Sequence, residues 1–127
     1  MKNMQTPLHK VQGFGSSHSG TGHFWHERLS AMALIPLTLW FVYSVLGLAG
    51  TSEVTTISYL AHWWNALPMM AFVIITLYHI KLGLQVVIDD YVHSAGGKVV
   101  LMLLARTFAI ACGALSLYAL LEIARVF

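Results

Sequence analysis

Three long apolar stretches, separated by polar segments, dominate the pattern of the chain. They cover residues 29–49, 65–88 and 99–121, and the first carries no charged residue. About 20 helical residues cross a hydrocarbon layer of about 30 Å, so each stretch is long enough to span a bilayer. The pattern therefore predicts an all-α integral membrane protein with three transmembrane helices.

The polar segments divide the chain into two parts. Residues 1–28 are rich in Gly, Ser and His and have no apolar periodicity, which predicts an N-terminal arm. Residues 29–127 form the predicted three-helix transmembrane anchor, in which residues 50–62 are a polar connection. A secretory signal would place its apolar core closer to the start, so we expect no cleaved signal peptide.

The basic residues predict the orientation of the helices in the membrane. The arm contains Lys2, Lys10 and Arg28, the second connection contains Lys98, and the first connection contains neither Lys nor Arg. Because Lys and Arg accumulate in cytoplasmic loops, the arm and the second connection are expected on the cytoplasmic side. Three crossings then place the C-terminus on the opposite, periplasmic side.

Composition supports a membrane protein and argues against other classes. Apolar residues make up 57% of the chain and charged residues 9%, against about a quarter charged in a typical soluble domain. The formal net charge is only +2, so a nucleic acid is not an expected partner. The lipid bilayer is the expected environment of all three apolar stretches.

One histidine lies well inside an apolar stretch, and an acidic residue follows it on the same helical face. Asp90 comes eleven residues after His79, which at about 100° and 1.5 Å per residue is nearly the same face, about 16 Å along the axis. Gly83, one turn from His79, removes a side chain and lets a flat group approach the helix backbone. His79 thus has three possible roles: a haem iron ligand, a hydrogen-bonding group between helices, or a member of a proton path.

The residues at the end of this stretch also allow two interpretations. Asp90 and Tyr91 are typical of helix ends at a membrane surface. Acids at a helix C-terminus, however, oppose the helix dipole, and a tyrosine with an aspartate offers the hydroxyl and the proton path that a quinone requires. Lys81 and Arg106 lie farther inside their stretches, where snorkelling towards the interface is the simpler explanation.

Three helices are too few to bury His79 by themselves. A polar group at that depth normally faces a partner, a cofactor or water, so we infer an obligate partner subunit with helices of its own. No second histidine lies at a comparable depth in another stretch. If His79 binds haem iron, the second axial ligand must come from the partner chain.

The spacing of His79 and Asp90-Tyr91 resembles the signature of the hydrophobic membrane anchor subunits of succinate dehydrogenase. Arg28-Leu29-Ser30-Ala31 is similar to the Arg-x-Thr-Ala sequence that opens the first helix in that family, with Ser in place of Thr. The stretch from Leu84 to His93 is especially similar to the alphaproteobacterial branch. The resemblance implies a four-subunit complex in the bacterial inner membrane, with a flavoprotein, an iron–sulfur subunit and a larger cytochrome b anchor subunit as partners.

The resemblance also implies roles for individual residues. His79 would be one axial ligand of haem b, and Arg28 and Ser30 would belong to the cofactor-binding region with it. Tyr91 would hydrogen-bond a carbonyl of ubiquinone, and Asp90 would support it or the proton path. Succinate would be oxidised at the flavin, outside this chain, so the chain would have no catalytic residue of its own.

Two alternatives from the sequence remain open. An anchor subunit of a quinol:fumarate reductase would show the same spacing, because spacing does not set the direction of the reaction. A structural membrane subunit without haem would show the same spans. A small transporter is less favoured, because the spans offer few polar residues for a water-filled path.

Overall fold

Four helices form the part of the chain that the structure, a computed structural model, describes: residues 20–126, with side chains for residues 21–125. They are α1 (Gly20–Leu48), α2 (Glu53–Ala61), α3 (Trp63–Tyr91) and α4 (Ala95–Val126). α1, α3 and α4 are long and apolar enough to cross a membrane. The predicted all-α class with three transmembrane helices is confirmed.

The three long helices extend beyond the apolar stretches that predicted them. The 29 residues of α3 cover about 44 Å, more than the hydrocarbon layer of about 30 Å. The helix α1 begins at Gly20 rather than near Leu29, so its first turns precede the predicted span. Residues 1–19 of the predicted arm lie outside the described residues.

The polar connection at residues 50–62 contains the short helix α2. Ser52 caps its N-terminus, because the Ser52 side chain accepts a hydrogen bond of 3.3 Å from the Thr55 backbone N–H. Tyr59 of α2 shares a hydrogen bond of 2.9 Å with Ser44 of α1. The Asn65 side chain donates to the Tyr59 carbonyl at 2.9 Å. These bonds attach α2 to the ends of α1 and α3.

The helix α3 packs extensively against both α1 and α4. Phe41 of α1 and Phe72 of α3 stack with their ring centroids 4.6 Å apart. A Cβ atom on Gly113 of α4 would lie 3.3 Å from the Leu77 side chain of α3, so a glycine at this position permits the close approach of the two helices. The antiparallel arrangement α1–α3–α4 positions His79 in the central helix.

Few side chains are buried within the described part of the chain. The buried apolar residues are Ala66, Leu82, Ile88 and Leu120, and the buried polar ones are Ser30 and Ser44. Large apolar side chains are exposed along all three long helices. Apolar surface of this extent requires lipid or another protein against it, in agreement with the inference of a partner subunit.

Candidate functional site

The contact between α1 and α3 brings Ser30 and His79 together. Ser30 Oγ lies 2.9 Å from His79 Nδ1, although the two residues are 49 positions apart in the chain. Ser30 is only 6% exposed, and both residues lie within candidate membrane spans. Since an unpaired polar group is costly in such surroundings, this hydrogen bond stabilises the α1–α3 contact.

The partners of Ser30 favour one tautomer of His79. Ser30 Oγ also donates a hydrogen bond of 2.9 Å to the Glu27 backbone carbonyl, one turn earlier in α1. A serine hydroxyl has one proton to donate and lone pairs to accept with. With the proton directed to Glu27, Ser30 accepts from the Nδ1–H of His79. The lone pair of His79 Nε2 is then free to bind a metal.

His79 lines an open apolar groove between α1 and α3. The other residues of the groove belong to α1: Ala31, Leu34, Ile35, Thr38 and Leu39. One turn along α3, a Cβ atom on Gly83 would meet nothing within 4 Å. A neutral imidazole nitrogen, apolar walls and free space beside the glycine are what a haem requires of one half of its site. These residues therefore fit the predicted haem.

Asp90 and Tyr91 are the last two residues of α3. Tyr91 is 78% exposed, and in the described range no hydrogen bond involves the side chain of either residue. The neighbouring Asp89 differs: Lys98 Nζ lies 3.5 Å from Asp89 Oδ1 and donates a bond of 2.9 Å to the Asp89 carbonyl. Of the two adjacent acids, Asp90 is thus the one with a carboxylate free for another partner.

Arg28 lies apart from the Ser30–His79 pair. Ser30 comes two positions after Arg28, a rotation of about 200° that places them on opposite faces of α1. The Arg28 guanidinium lies 4.7 Å from the ring centroid of Phe24, a cation–π contact. Among the described residues it forms no ion pair. Its predicted role near the cofactor or the quinone stays a prediction.

The sequence pattern indicated the site residues on each helix but not the contact between the two helices. Periodicity along α3 placed His79, Gly83 and Asp90 near one face, because that relation is internal to one helix. It did not pair Ser30 with His79, because no sequence signal sets the register between α1 and α3. A cross-helix hydrogen bond was one of the three possible roles of His79; it is present, and since it uses Nδ1 it is compatible with iron binding at Nε2.

Comparison with known proteins shows that the chain is similar to membrane subunits of succinate dehydrogenase and fumarate reductase. A family model described as "Succinate dehydrogenase/Fumarate reductase transmembrane subunit" matches residues 2–113. A succinate dehydrogenase hydrophobic membrane anchor subunit of Paracoccus denitrificans is 34% identical over 115 residues, which is 91% of this chain and 88% of the relative. No solved structure gives a significant match.

Two further relatives have similar names and cover most of both chains. A succinate dehydrogenase hydrophobic membrane anchor subunit of Rickettsia bellii (strain RML369-C) is 33% identical over 101 residues, 80% of this chain and 81% of its own. A succinate dehydrogenase membrane anchor subunit of Reclinomonas americana is 31% identical over 104 residues, 80% of this chain and 87% of its own.

Proposed function

The chain belongs to the family of succinate dehydrogenase and fumarate reductase transmembrane subunits, and we propose that it provides one half of a haem b site and part of a ubiquinone site. In this proposal it is the membrane anchor of succinate:ubiquinone oxidoreductase. Electrons from succinate reach the quinone through an iron–sulfur subunit that docks on this anchor. The chain catalyses nothing alone and acts by positioning groups.

The names of the relatives, rather than the geometry of the site, favour one direction of the reaction. The relatives in Paracoccus, Rickettsia and Reclinomonas are all named as succinate dehydrogenase subunits, which favours succinate oxidation over the quinol:fumarate reductase alternative. An anchor subunit of this enzyme works in a complex with other subunits. We propose a flavoprotein, an iron–sulfur subunit and a larger cytochrome b anchor subunit as its partners.

The observation that carries the haem assignment is the Ser30–His79 hydrogen bond inside the span. Ser30 holds Nδ1 as the protonated nitrogen and so presents the basic Nε2 to the iron. His79 is the one histidine of the described residues that lines the groove, so a second iron ligand would come from the partner anchor. A haem held by two imidazoles would supply one-electron transfer without binding oxygen.

Apolar residues of α1 and the glycine of α3 shape the rest of the proposed half-site. Leu34, Ile35 and Leu39 line the groove beside His79 and keep water away from the iron ligand. The absence of a side chain at Gly83 leaves room beside the helix backbone. Apolar surroundings raise the cost of a charge change at the metal, so they tune its potential.

Replacing Gly83 with leucine tests whether the space beside it belongs to the cofactor. The new side chain meets no atom of this chain close to its Cβ, so it should not disturb α3 itself. It should fill the space proposed for haem and lower the haem content of the purified complex by about tenfold. The measurement is the pyridine haemochrome content per complex.

The matched control for this variant is Gly47→Leu. Gly47 is also a helical glycine at which an added Cβ atom would meet nothing within 4 Å, but it lies at the C-terminal end of α1, far from Ser30 and His79. That variant should keep its haem. Equal haem content in both variants would mean that the space beside Gly83 is not part of the site.

Tyr91 and Asp90 form this chain's proposed contribution to the quinone site. The Tyr91 hydroxyl donates a hydrogen bond to a quinone carbonyl, and the Asp90 carboxylate transfers protons from the aqueous side. Both are exposed at the end of α3, where the partner subunits can complete the pocket. By the positive-inside rule this end faces the cytoplasm of a bacterial inner membrane, with the C-terminus in the periplasm.

The experiment that tests the quinone assignment compares three variants of the assembled complex. Tyr91→Phe removes one hydrogen bond and should lower kcat/KM for ubiquinone by about tenfold. Asp90→Asn should lower it at least as much, since it removes the proton carrier. Asp89→Asn is the control, because Asp89 is paired with Lys98, and it should keep most of the activity.

Succinate oxidation with a soluble dye should be unchanged in all three variants, because it does not require the quinone site. A normal kcat/KM for ubiquinone in both Tyr91→Phe and Asp90→Asn would place the quinone elsewhere.

A further inference from the structure

Two basic side chains, Lys81 of α3 and Arg106 of α4, line the groove between these two helices. Lys81 is two residues beyond His79, a rotation of about 200° around α3. The α3–α4 groove therefore lies on the other side of α3 from the α1–α3 groove that His79 lines, and the proposed haem and quinone sites do not use it.

The antiparallel register of α3 and α4 places these two bases at the same level. Lys98 of α4 contacts Asp89 of α3 at 3.5 Å, and a Cβ atom on Gly113 would lie 3.3 Å from Leu77. Counting along both helices from the first contact brings residue 106 opposite residue 81, and counting from the second brings it within one turn of residue 81. Two positive charges thus share a level inside the candidate spans, which is unfavourable unless an anion accompanies them.

This chain has no acidic side chain beside the two bases. The sequence contains five Asp and Glu residues, and all five lie in the described range. Asp89 and Glu122 form ion pairs with other basic residues. No acid of residues 21–125 forms an ion pair with Lys81 or Arg106. The compensating anion must come from outside the chain.

The shape of the α3–α4 groove indicates what kind of anion fits. Its end towards the α3–α4 connection has Gln85 as a further polar wall beside the two bases. Its other part extends towards the membrane interior and is lined mainly by apolar and small residues: Ile74, Leu77, Tyr78, Ala109, Ile110 and Gly113. Both basic residues line both parts, so the groove is continuous. A polar end with two cations and an apolar trough matches an amphiphile with an anionic head.

The depth of the polar end is compatible with a lipid headgroup. Trp63 and Trp64 stack at the start of α3, where an aromatic anchor marks the far interface. A span of about 20 helical residues from Trp64 ends close to Gln85, so the opposite interface lies near Gln85. The long side chains of Lys81 and Arg106 can extend their charges to that boundary.

We propose that the α3–α4 groove binds an anionic phospholipid of the leaflet on the side of the α3–α4 connection. Its phosphate lies between Lys81 and Arg106, and an acyl chain lies along the trough over Ala109 and Gly113. A zwitterionic phospholipid fits less well, because its headgroup adds a positive charge of its own. A free phosphate would leave the apolar trough uncovered.

The test uses the purified multi-subunit complex, since the chain works in that assembly. The complex in detergent is mixed with equal amounts of phosphatidylglycerol and phosphatidylethanolamine, and bound lipid is counted by native mass spectrometry. The wild type should retain phosphatidylglycerol preferentially. The Lys81→Gln/Arg106→Gln variant should bind it roughly 30-fold more weakly, from about 1 kcal/mol per basic residue.

The control variant Lys98→Gln/Arg125→Gln removes the same amount of charge outside the groove and should keep the preference. If the Gln variant does not assemble, Lys81→Arg/Arg106→Lys keeps both charges and should keep the preference. A wild type without preference for phosphatidylglycerol overturns the proposal, whatever the variants do. If the wild type shows no preference and the Lys81→Gln/Arg106→Gln variant also loses a partner subunit, the two basic residues pair with an acidic residue of that partner.

Haem content is recorded in the same preparations. A complex with normal haem and no lipid preference would contradict the lipid site alone, and a complex without haem but with the preference would contradict only the proposed haem site.

Discussion

Replacing His79 with alanine should abolish the b-type absorption bands of the complex. The proposed iron ligand is then absent, and the apolar groove beside α1 offers no other side chain that binds iron. The measurement is a dithionite-reduced minus oxidised spectrum of membranes that contain the proposed four-subunit complex. Succinate oxidation with a soluble dye should continue, because we propose that succinate is oxidised at a flavin outside this chain.

The control for this variant is His93→Ala. His93 is an exposed histidine in the connection between α3 and α4, so its loss should leave the spectrum unchanged. Normal b-type bands in His79→Ala would mean that the iron is held by other residues. The absence of such bands in the wild-type complex would instead support the haem-free structural subunit.

Replacing Ser30 with alanine should weaken haem binding by about 10- to 100-fold, the usual effect of losing a hydrogen-bond partner of a metal-bound histidine. The variant removes the hydrogen-bond partner of His79 Nδ1, so the imidazole loses the contact that orients it. The measurement is haem retention during titration with a competing haem-binding protein. The electron paramagnetic resonance signal should also shift, because it reports the orientation of the imidazole plane.

A matched control for Ser30→Ala exists on the same helix. Ser44 is the other buried polar residue of α1, 4% exposed, and its hydroxyl likewise donates to a backbone carbonyl one turn earlier. Its second partner is Tyr59 rather than a histidine. Ser44→Ala should therefore affect stability without changing the haem spectrum, and Ser30→Thr should keep the haem because it keeps the hydroxyl.

An equal loss of haem in Ser30→Ala and Ser44→Ala would indicate a general weakening of α1 packing. Unchanged haem binding and spectrum in Ser30→Ala would show that Ser30 does not position His79.

In α3, helical periodicity alone predicted which residues share a face. The sequence placed His79, Gly83 and Asp90 near one helical face, and the continuous helix from Trp63 to Tyr91 agrees with that placement. The sequence left open whether the adjacent acid, Asp89, shares the proposed role of Asp90. The structure adds that Lys98, which belongs to the next helix, pairs with Asp89.

The opening of α1 shows the opposite case. Arg28 and Ser30 were predicted together, because they belong to one short motif, Arg28-Leu29-Ser30-Ala31. In the structure they occupy different faces of α1, and only Ser30 reaches His79. The nine-residue helix α2 in the polar connection was also not predicted, since a short polar helix has no long apolar signal.

The sequence by itself determined the three spans, the all-α class, the position of His79 within the second apolar stretch and the likeness to succinate dehydrogenase anchor subunits. These properties depend on hydropathy and on the repeat of a single helix, which are local. Only the tertiary structure decided that Ser30 is the partner of His79 and that Lys81 and Arg106 share one level. Such contacts depend on the register between helices, which the packing of side chains across the interface sets and no local pattern encodes.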